Sequence, residues 1–288
     1  MRKEYYLLLF LIMFNLFLGG IIYDYYFSLP EVDFLSVGQG DAELIQTPAG
    51  NILIDAGPGN KILEQLSSSL PFYDRTIDLV IISHPNKDHY YGLKYLLQRY
   101  RVRAVMMNNW NYSSPTFQKI VRLLQKEKVI LLQGYRGIRI RSSSTVPFHL
   151  TLLYPPQADF SPSDINQASI IANLIIKNNQ FLFTGDTTAK EEKLILSDLQ
   201  LKPVRVLKVA HHGSKTSSSL EFLSRYKPQF SVIEVGKNNY DLPNIETLRR
   251  LYKVSSRVWR TDIDGIVKFF ISPDGKMRII QLPICVRK

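Results

Sequence analysis

Short apolar runs separated by polar turns make up most of the chain after residue 29. Three short strands are predicted between residues 32 and 56, joined by glycine-rich turns into a meander. Later apolar runs, among them Leu79–Ile82 and Val204–Ala210, predict buried strands, and apolar residues at helical spacing predict a helix over 115–128. The pattern therefore predicts an α/β domain.

The first 29 residues follow a different pattern. An almost uninterrupted apolar run from Tyr5 to Tyr23, broken by Asn15, has about the length needed to cross a bilayer. Arg2 and Lys3 precede this run and acidic residues follow it, so the positive-inside rule places the body of the protein outside the membrane. We therefore predict a transmembrane anchor over residues 1–29. A cleaved secretory signal is the main alternative, although no Ala-x-Ala site follows the run.

Composition adds a sizeable core and a basic surface to this picture. The 288 residues are 45% hydrophobic, and no internal repeat or low-complexity linker divides them, so one domain over 30–288 is predicted. The net charge of +11 indicates a polyanionic partner, an acidic membrane surface, or a solvated basic surface without a specific partner. The single cysteine, Cys285, excludes an intrachain disulfide and a thiolate metal cluster.

The polar turn that follows Leu79–Ile82 carries the most informative chemistry. It contains His84, Asp88 and His89 within six residues. Imidazole nitrogens and carboxylate oxygens are ligands that zinc and similar divalent ions prefer, and here they follow a buried strand. Pro85 stiffens the backbone of the turn. The turn taken alone also fits ordinary loop residues, so the metal interpretation depends on the rest of the chain.

Two later strand ends repeat this arrangement. Asp186 puts a carboxylate at a strand end, where it is suited to bridging two ions, and His211 and His212 end another buried strand. Four of the five histidines therefore lie at two strand ends, which is hard to assign to packing. Strand alternation predicts that His211 and His212 face opposite ways.

Two aspartates beside glycines, Asp41 and Asp55, admit two interpretations. An acid at a strand end can orient a metal-ligating histidine through the second ring nitrogen of that histidine. It can equally serve the local hydrogen bonding of a turn. Both interpretations stay open for Asp55, whereas turn chemistry is the expectation for Asp41.

The ordered set of acids and histidines resembles the motifs of the metallo-β-lactamase fold hydrolases. Its members are, in chain order, Asp55, His84, Asn86, Asp88, His89, Asp186, His211 and His212. The phrases FLSVGQGDAELIQTPAG, ILIDAGPG, SHPNKDHYYG, FLFTGD and LKVAHHGSKTSSS are similar, more narrowly, to the extracellular hydrolase domain of the ComEC-type competence proteins, over about residues 32–282. The resemblance implies a four-layer αββα sandwich with its metal site where strand ends meet.

The same resemblance implies a divalent metal, Zn or Mn, bound as one or two ions. One ion is implied at Asp88, His89, Asp186 and His211, and the other at His84, Asn86 and Asp186. Two departures from the family pattern weaken the second site. Asn86 stands where Asp or His is usual and offers a neutral amide oxygen. A further histidine of many family members has no match in the region that holds Asn166 and Ser169.

The sequence thus predicts a metal-dependent hydrolase that cleaves phosphodiesters, with single-stranded DNA bound without sequence specificity outside the membrane. Asp88 is expected to orient the attacking water, and His212 or Ser214 to stabilise the departing oxygen. The residues expected to hold the polyanion by charge are Lys208, Lys215, Arg249, Arg250 and Lys253.

Two other functions stay open. The same site suits the cleavage of a small ester, a phosphocholine group or a lactone, and loss of one ion at Asn86 would leave a non-catalytic module that binds polyanions. With one apolar span, the chain is not expected to form a DNA pore by itself. A separate membrane channel protein is therefore an expected partner.

Overall fold

The computed structural model describes residues 2–27, 29–142, 146–197 and 204–282, so Cys285 lies outside the described residues. The helices are α1 (Arg2–Phe27), α2 (Lys61–Ser69), α3 (Lys87–Tyr90), α4 (Leu93–Leu96), α5 (Pro115–Lys126), α6 (Ala189–Ile195), α7 (Leu220–Tyr226), α8 (Ile245–Lys253) and α9 (Thr261–Asp264).

The strands are β1 (Glu31–Phe34), β2 (Glu43–Thr47), β3 (Gly50–Ile54), β4 (Thr76–Ile81), β5 (Arg101–Met107), β6 (Ile130–Gln133), β7 (Arg139–Ser142), β8 (Phe148–Tyr154), β9 (Ile171–Ile176), β10 (Asn179–Phe183), β11 (Val206–Lys208), β12 (Phe230–Ile233), β13 (Arg257–Arg260), β14 (Ile266–Ile271) and β15 (Met277–Leu282). Short 3-10 turns lie at Ile165–Ala168 and Ala210–Gly213.

These strands form two mixed sheets. The first has the order β15-β14-β1-β2-β3-β4-β5-β6, and the second has the order β13-β12-β11-β10-β9-β8-β7. Strands β1 to β3 pair antiparallel, as the predicted meander requires. Strands β3 to β6 are parallel in the first sheet, and β10 to β13 are parallel in the second. Each sheet therefore has one edge at which several carboxyl ends emerge together.

Side-chain alternation gives each sheet two buried faces. On β10, Phe181 and Phe183 face the core between the sheets, whereas Leu182 faces the helices on the other side. Helices α2, α4 and α5 cover the outer face of the first sheet, and α6, α7 and α8 cover that of the second. Strands buried on both faces have near-continuous apolar sequences, as observed here. The four layers confirm the predicted αββα architecture.

Helix α1 stands apart from this sandwich in composition. Its window Lys3–Gly20 has a mean hydropathy of 1.3, and none of that window is buried against the rest of the protein. It is the one described helix long and apolar enough to cross a membrane by length and composition, and a signal sequence near an N-terminus meets the same criteria.

Candidate metal centre

The carboxyl ends of the parallel strands bring the candidate residues to one edge of the sandwich. Asp55 follows β3, His84 follows β4, Asp186 follows β10 and His211 follows β11. Asp41 precedes β2, which runs antiparallel to β3, so it arrives at the same edge. Ligand sites of α/β sheets form where carboxyl ends meet, because loops from several strands converge there.

The turn after β4 is held tightly against its neighbours. The Ala56 N–H donates to the His89 carbonyl at 2.7 Å, and the Asp41 N–H donates to the Asp88 carbonyl at 3.3 Å. A Cβ on Gly92 would lie 1.8 Å from the Ala56 carbonyl oxygen, so a residue without a side chain is required at this approach. These contacts fix the α3 backbone, and with it Asp88 and His89, relative to β2 and β3.

The turn after β11 has three successive residues in the left-handed conformation. The φ angle is 52° at His211, 52° at His212 and 82° at Gly213. Such angles cost about 1–3 kcal/mol for a non-glycine residue and are concentrated at functional sites. Both imidazoles approach the Asp186 carboxylate as a result. The expectation that the two histidines face opposite ways is wrong, because the strand ends at Lys208, before they begin.

Four imidazoles surround a single carboxylate oxygen. From Asp186 Oδ2 to Nε2, the distances are 3.3 Å for His89, 3.7 Å for His212, and 3.9 Å for both His84 and His211. The Oδ2 atom of Asp88 lies 3.3 Å from His212 Nε2. Tetrahedral ligands at about 2.0–2.2 Å from one ion lie about 3.4 Å from each other. The two 3.3 Å distances match this spacing, and the others, up to 3.9 Å, are somewhat longer.

Buried polar atoms without partners test whether a metal fits this centre. The atoms His84 Nε2, His89 Nε2 and Asp186 Oδ1 are buried and have no hydrogen-bond partner. Leaving such atoms unpaired is costly, and the two Nε2 atoms both lie within 3.9 Å of Asp186 Oδ2, so they call for a ligand. One ligand atom each from Asp88, His89, Asp186 and His212 all lie within 4.8 Å of one another. This donor set fits a divalent ion such as zinc or manganese.

The ring orientations are set through the second imidazole nitrogen. His89 Nδ1 lies 2.7 Å from Asp55 Oδ2, and His84 Nδ1 lies 3.0 Å from Ser83 Oγ, which itself donates to Asp55. His212 Nδ1 lies 2.8 Å from the Glu234 carbonyl. Such contacts leave Nε2 free for the metal and fix the ring plane. Asp55 therefore makes the contacts of an orienting residue.

Replacing Asp55 with asparagine is expected to lower the metal affinity by about 10- to 100-fold. The amide keeps one acceptor oxygen but places a donor where Asp55 Oδ2 now receives the Ser83 hydroxyl and faces His89. Zinc titration of metal-free protein against a competing chelator measures the change. Asp274→Asn, an exposed substitution in the β14–β15 turn, is the matched control. Equal affinities of Asp55→Asn and wild type would contradict the orienting role.

Asn86 joins two parts of the site edge. Its side-chain Nδ2 donates to Asn166 Oδ1 at 2.9 Å, which links the turn after β4 to the loop before β9. The group of four clustered ligand atoms does not include Asn86. The second ion site, at His84, Asn86 and Asp186, therefore stays a prediction. The side-chain amide of Asn86 is already hydrogen-bonded to Asn166.

Carboxylates around the histidines oppose the effect of burial. Burial disfavours the imidazolium of His212, but Asp186 and Asp41 outweigh it and raise its pKa to about 10. At His84, burial and the neighbouring His89 prevail and lower the pKa to about 3. Burial also acts on Asp186, yet His89 and His212 outweigh it and hold its pKa well below the ordinary value. Asp186 therefore stays ionised and supplies negative charge that a divalent ion would neutralise.

Lys208 lies beneath the centre and does not reach the surface. Its side chain is fully buried, its ammonium pairs with the Asp41 carboxylate, and it donates to the Gly185 carbonyl at 3.0 Å. Burial is outweighed by Asp41 and Asp186, so the pKa of Lys208 lies above its ordinary range. The prediction that Lys208 binds substrate is wrong, because this last residue of β11 points inward. The expectation for Asp41 is also wrong, since its carboxylate lies 3.2 Å from His212 Nδ1.

Two buried glutamates that sequence reasoning missed complete this network. Glu43 and Glu234 are buried beside Asp41, and the Ala42 N–H donates to Glu234 Oε1 at 3.0 Å. Burial and Asp41 raise the pKa of Glu234 to about 7. Burial and Glu234 raise the pKa of Glu43 well above its ordinary value. The sequence contains one indication of Glu234: it is an acid between Ile233, the last residue of β12, and Val235, within an apolar run.

Glu234 is expected to make stability depend on pH. Its pKa is about 7 in the folded protein and 4.5 ordinarily, so between these values the folded state keeps a proton that the unfolded chain has released. The free energy of unfolding should therefore fall as the pH rises through this range. The free energy of unfolding, measured by urea denaturation of EDTA-treated protein, should vary less with pH in Glu234→Gln than in wild type. Glu246→Gln, at an exposed position, is the control, and an unchanged slope in Glu234→Gln would contradict the assignment.

The remaining predicted substrate-binding residues lie beside the turn after β11. The Arg250 guanidinium donates to the Lys215 carbonyl at 3.0 Å, and the Thr247 hydroxyl donates to the Ser214 carbonyl at 2.8 Å. Helix α8 therefore packs on this turn, where Ser214 is partly exposed. The exposed or partly exposed cations here, termed the α8 basic surface, are Lys215, Arg249, Arg250 and Lys253.

Comparison with known proteins adds a family and several relatives. The sequence-family model described as "Metallo-beta-lactamase superfamily" matches residues 35–232. The "ComE operon protein 3" of Bacillus subtilis is 29% identical over 283 residues, covering 90% of this chain and 34% of that protein. "Competence protein ComA" of Neisseria gonorrhoeae is 25% identical over 242 residues, covering 83% of this chain and 32% of that protein. The chain thus spans about a third of the length of these relatives.

Solved structures share the fold at low sequence identity. The metallo-beta-lactamase fold protein YhfI from Bacillus subtilis has a TM-score of 0.57 at 13% identity, covering 83% of this chain and 99% of that one. CmlA, a diiron beta-hydroxylase from Streptomyces venezuelae, has a TM-score of 0.54 at 13% identity, covering 88% of this chain and 54% of that one. These similarities concern the arrangement of helices and strands.

Proposed function

The chain belongs to the metallo-β-lactamase superfamily, and on this premise we propose that it hydrolyses phosphodiester bonds of single-stranded DNA at the outer face of a membrane. The resemblance to ComEC-type competence proteins is confirmed by its relatives. The observation that carries the proposal is the convergence of four imidazoles on Asp186 Oδ2, within 3.9 Å.

We assign the first ion to Asp88, His89, Asp186 and His212. His212 replaces His211 in this set because it lies close to both Asp88 and Asp186 and is oriented through Nδ1. A divalent ion held there supplies Lewis acidity to a phosphoryl oxygen and makes a water molecule more acidic. Asp88, the partly exposed member, is placed to orient the attacking water. Ser214 remains the proposed partner of the departing oxygen.

Charge and relatives support nucleic acid as the substrate. The net charge is +11, and the α8 basic surface lies next to the turn that carries His212. Exposed lysines and arginines hold phosphates without reading the sequence of bases, and such binding weakens steeply with salt. Relatives named for competence favour DNA over a small ester. We therefore expect cleavage that is insensitive to sequence and sensitive to ionic strength.

We further propose that α1 anchors the chain and that the hydrolase domain over 30–288 lies outside, close to a separate membrane channel protein. The support is the apolar window Lys3–Gly20 with Arg2 and Lys3 at its start. Protease added to intact cells should remove the domain. Full protection of the domain in intact cells, with digestion after lysis, would contradict the outward orientation.

The test of the function compares wild type with His89→Ala and His149→Ala. His149 is an exposed histidine on β8, so it controls for the loss of an imidazole as such. Full-length wild type and full-length His149→Ala, purified in detergent and loaded with zinc or manganese, should both cleave a labelled single strand. His89→Ala and EDTA-treated protein should not cleave it.

Two results would replace the proposal. Hydrolysis of a phosphocholine ester with no cleavage of DNA would identify a small-substrate hydrolase. A purified protein that retains no metal on elemental analysis, yet binds DNA, would identify a non-catalytic binding module.

A further inference from the structure

An open cleft of about 480 Å³ adjoins the candidate metal centre on the side of His84. Ser83, His84 and Pro85 form one wall, so the cleft and the centre share a proposed metal ligand. Tyr112 from the segment after β5 and Phe160 from the loop after β8 line the rest. A group attached to a phosphate at the centre would therefore reach this cleft directly.

The lining chemistry suits an uncharged group that has both an apolar face and polar edges, because apolar side chains alternate here with polar ones such as Asn108 and Asn109. No lysine or arginine is among the described residues that line the cleft, and its one acidic side chain, Asp164, repels a second phosphate. Tyr112, Phe160, Met107 and Ile165 provide aromatic and aliphatic surface. Ligand clefts of about 300–1,000 Å³ with such a lining hold flat organic groups and are usually preformed. The cleft therefore complements the organic part of the substrate, while the α8 basic surface complements its phosphates.

Both aromatic rings are held by the fold. Tyr112 packs edge to face against Phe117 with ring centroids 6.0 Å apart, and its carbonyl accepts from the Gln118 side chain at 2.8 Å. Phe160 packs edge to face against Tyr154 at 5.7 Å. The lining residues are therefore positioned before a ligand enters, which reduces the cost of binding.

We infer that this cleft binds one unpaired nucleobase, that of the nucleotide whose phosphate lies at the metal centre; the inference rests on the proposed function. Every base has a π-face that stacks on aromatic rings irrespective of sequence. A base inside a duplex is stacked and paired, and extruding it costs a few kcal/mol. The cleft thus gives a physical reason for single-strand preference. A trimethylammonium group also binds aromatic rings, but it would fill only part of this cleft.

The test compares two short single strands that each contain one cleavable phosphodiester among non-hydrolysable linkages, one strand intact and one lacking the base next to the cleavable bond. Full-length, metal-loaded protein should have a kcat/KM for the intact strand about 5- to 150-fold above that for the abasic strand, the range expected for one stacked base. Tyr112→Ala should lose most of this advantage and cleave the abasic strand as wild type does. Phe160→Ala should behave similarly, and Tyr112→Phe should retain the advantage. Tyr240→Ala, at an exposed tyrosine outside the lining, is the matched control.

The outcomes separate this inference from the function on which it rests. If wild type cleaves neither strand, the proposed function fails. If wild type cleaves both strands equally, or if Tyr112→Ala slows both equally without a change in melting temperature, the base-binding role is overturned. Loss of phosphocholine-ester hydrolysis in Tyr112→Ala, with both strands unaffected, would assign the cleft to a trimethylammonium group instead.

Discussion

Replacing Asp186 with alanine is expected to release the metal and to lower hydrolysis by about 10³-fold or more. Asp186 Oδ2 is the atom on which all four imidazoles converge. Without the carboxylate, His84 and His89 lose the negative charge that lies within 3.9 Å of both their Nε2 atoms, and the set loses the one oxygen that its imidazoles share. A bound ion contributes several kcal/mol to transition-state stabilisation, which corresponds to this loss of rate.

Metal content and activity should fall together in Asp186→Ala. Elemental analysis of the purified variant gives the first quantity, a single-strand cleavage assay gives the second, and circular dichroism checks the fold. Asp274→Asn, in the exposed β14–β15 turn, should match wild type in all three measurements. An Asp186→Ala protein that keeps a full complement of metal would contradict the assignment of the centre.

Replacing Lys208 with methionine is expected to lower the free energy of unfolding by about 3–5 kcal/mol. Methionine keeps much of the volume but removes the charge that pairs with buried Asp41. An uncompensated buried charge is costly, and breaking a buried pair on one side typically has this effect. For a domain of this size the midpoint of thermal unfolding should fall by about 6–20 °C. Urea denaturation and calorimetry measure both quantities.

A double variant identifies the cause of that loss. If the loss of stability comes from the unpaired Asp41 carboxylate, the double variant Lys208→Met/Asp41→Asn should lose less free energy of unfolding than the two single variants lose in sum. Lys276→Met is the control, because Lys276 pairs with Asp274 on the exposed surface and its loss should leave stability unchanged. Strict additivity in the double variant would show that Lys208 and Asp41 act independently.

The positions of the candidate ligands were predictable because local sequence determines them. Apolar runs end just before His84, Asp186 and His211, and parallel strands end at a common edge, so residue type and strand position together identified the site. The αββα layers followed from the family resemblance. The depth of burial at Asp55 was not predictable, but its place beside the strand end was.

What the sequence did not reveal depends on contacts between distant residues. Lys208 looked like a surface cation because its partner Asp41 is 167 positions away and stands beside a glycine, where a turn residue is expected. The relative orientation of His211 and His212 was predicted wrongly for a different reason. Periodicity assumes an extended backbone, and the left-handed angles at both residues remove that assumption.

The hydrogen bond from Ala42 to Glu234 joins positions 192 residues apart, and it has a consequence for synthesis of the chain. At about 5–20 residues per second, a ribosome needs about 10–40 s to proceed from the first partner to the second. Asp41, next to Ala42 in the sequence, cannot pack against His212 until the later strands have been made. In a newly made copy the buried network around Asp41 should therefore stay incomplete until β12, and Glu234 directly after it, have been made and have joined the sandwich.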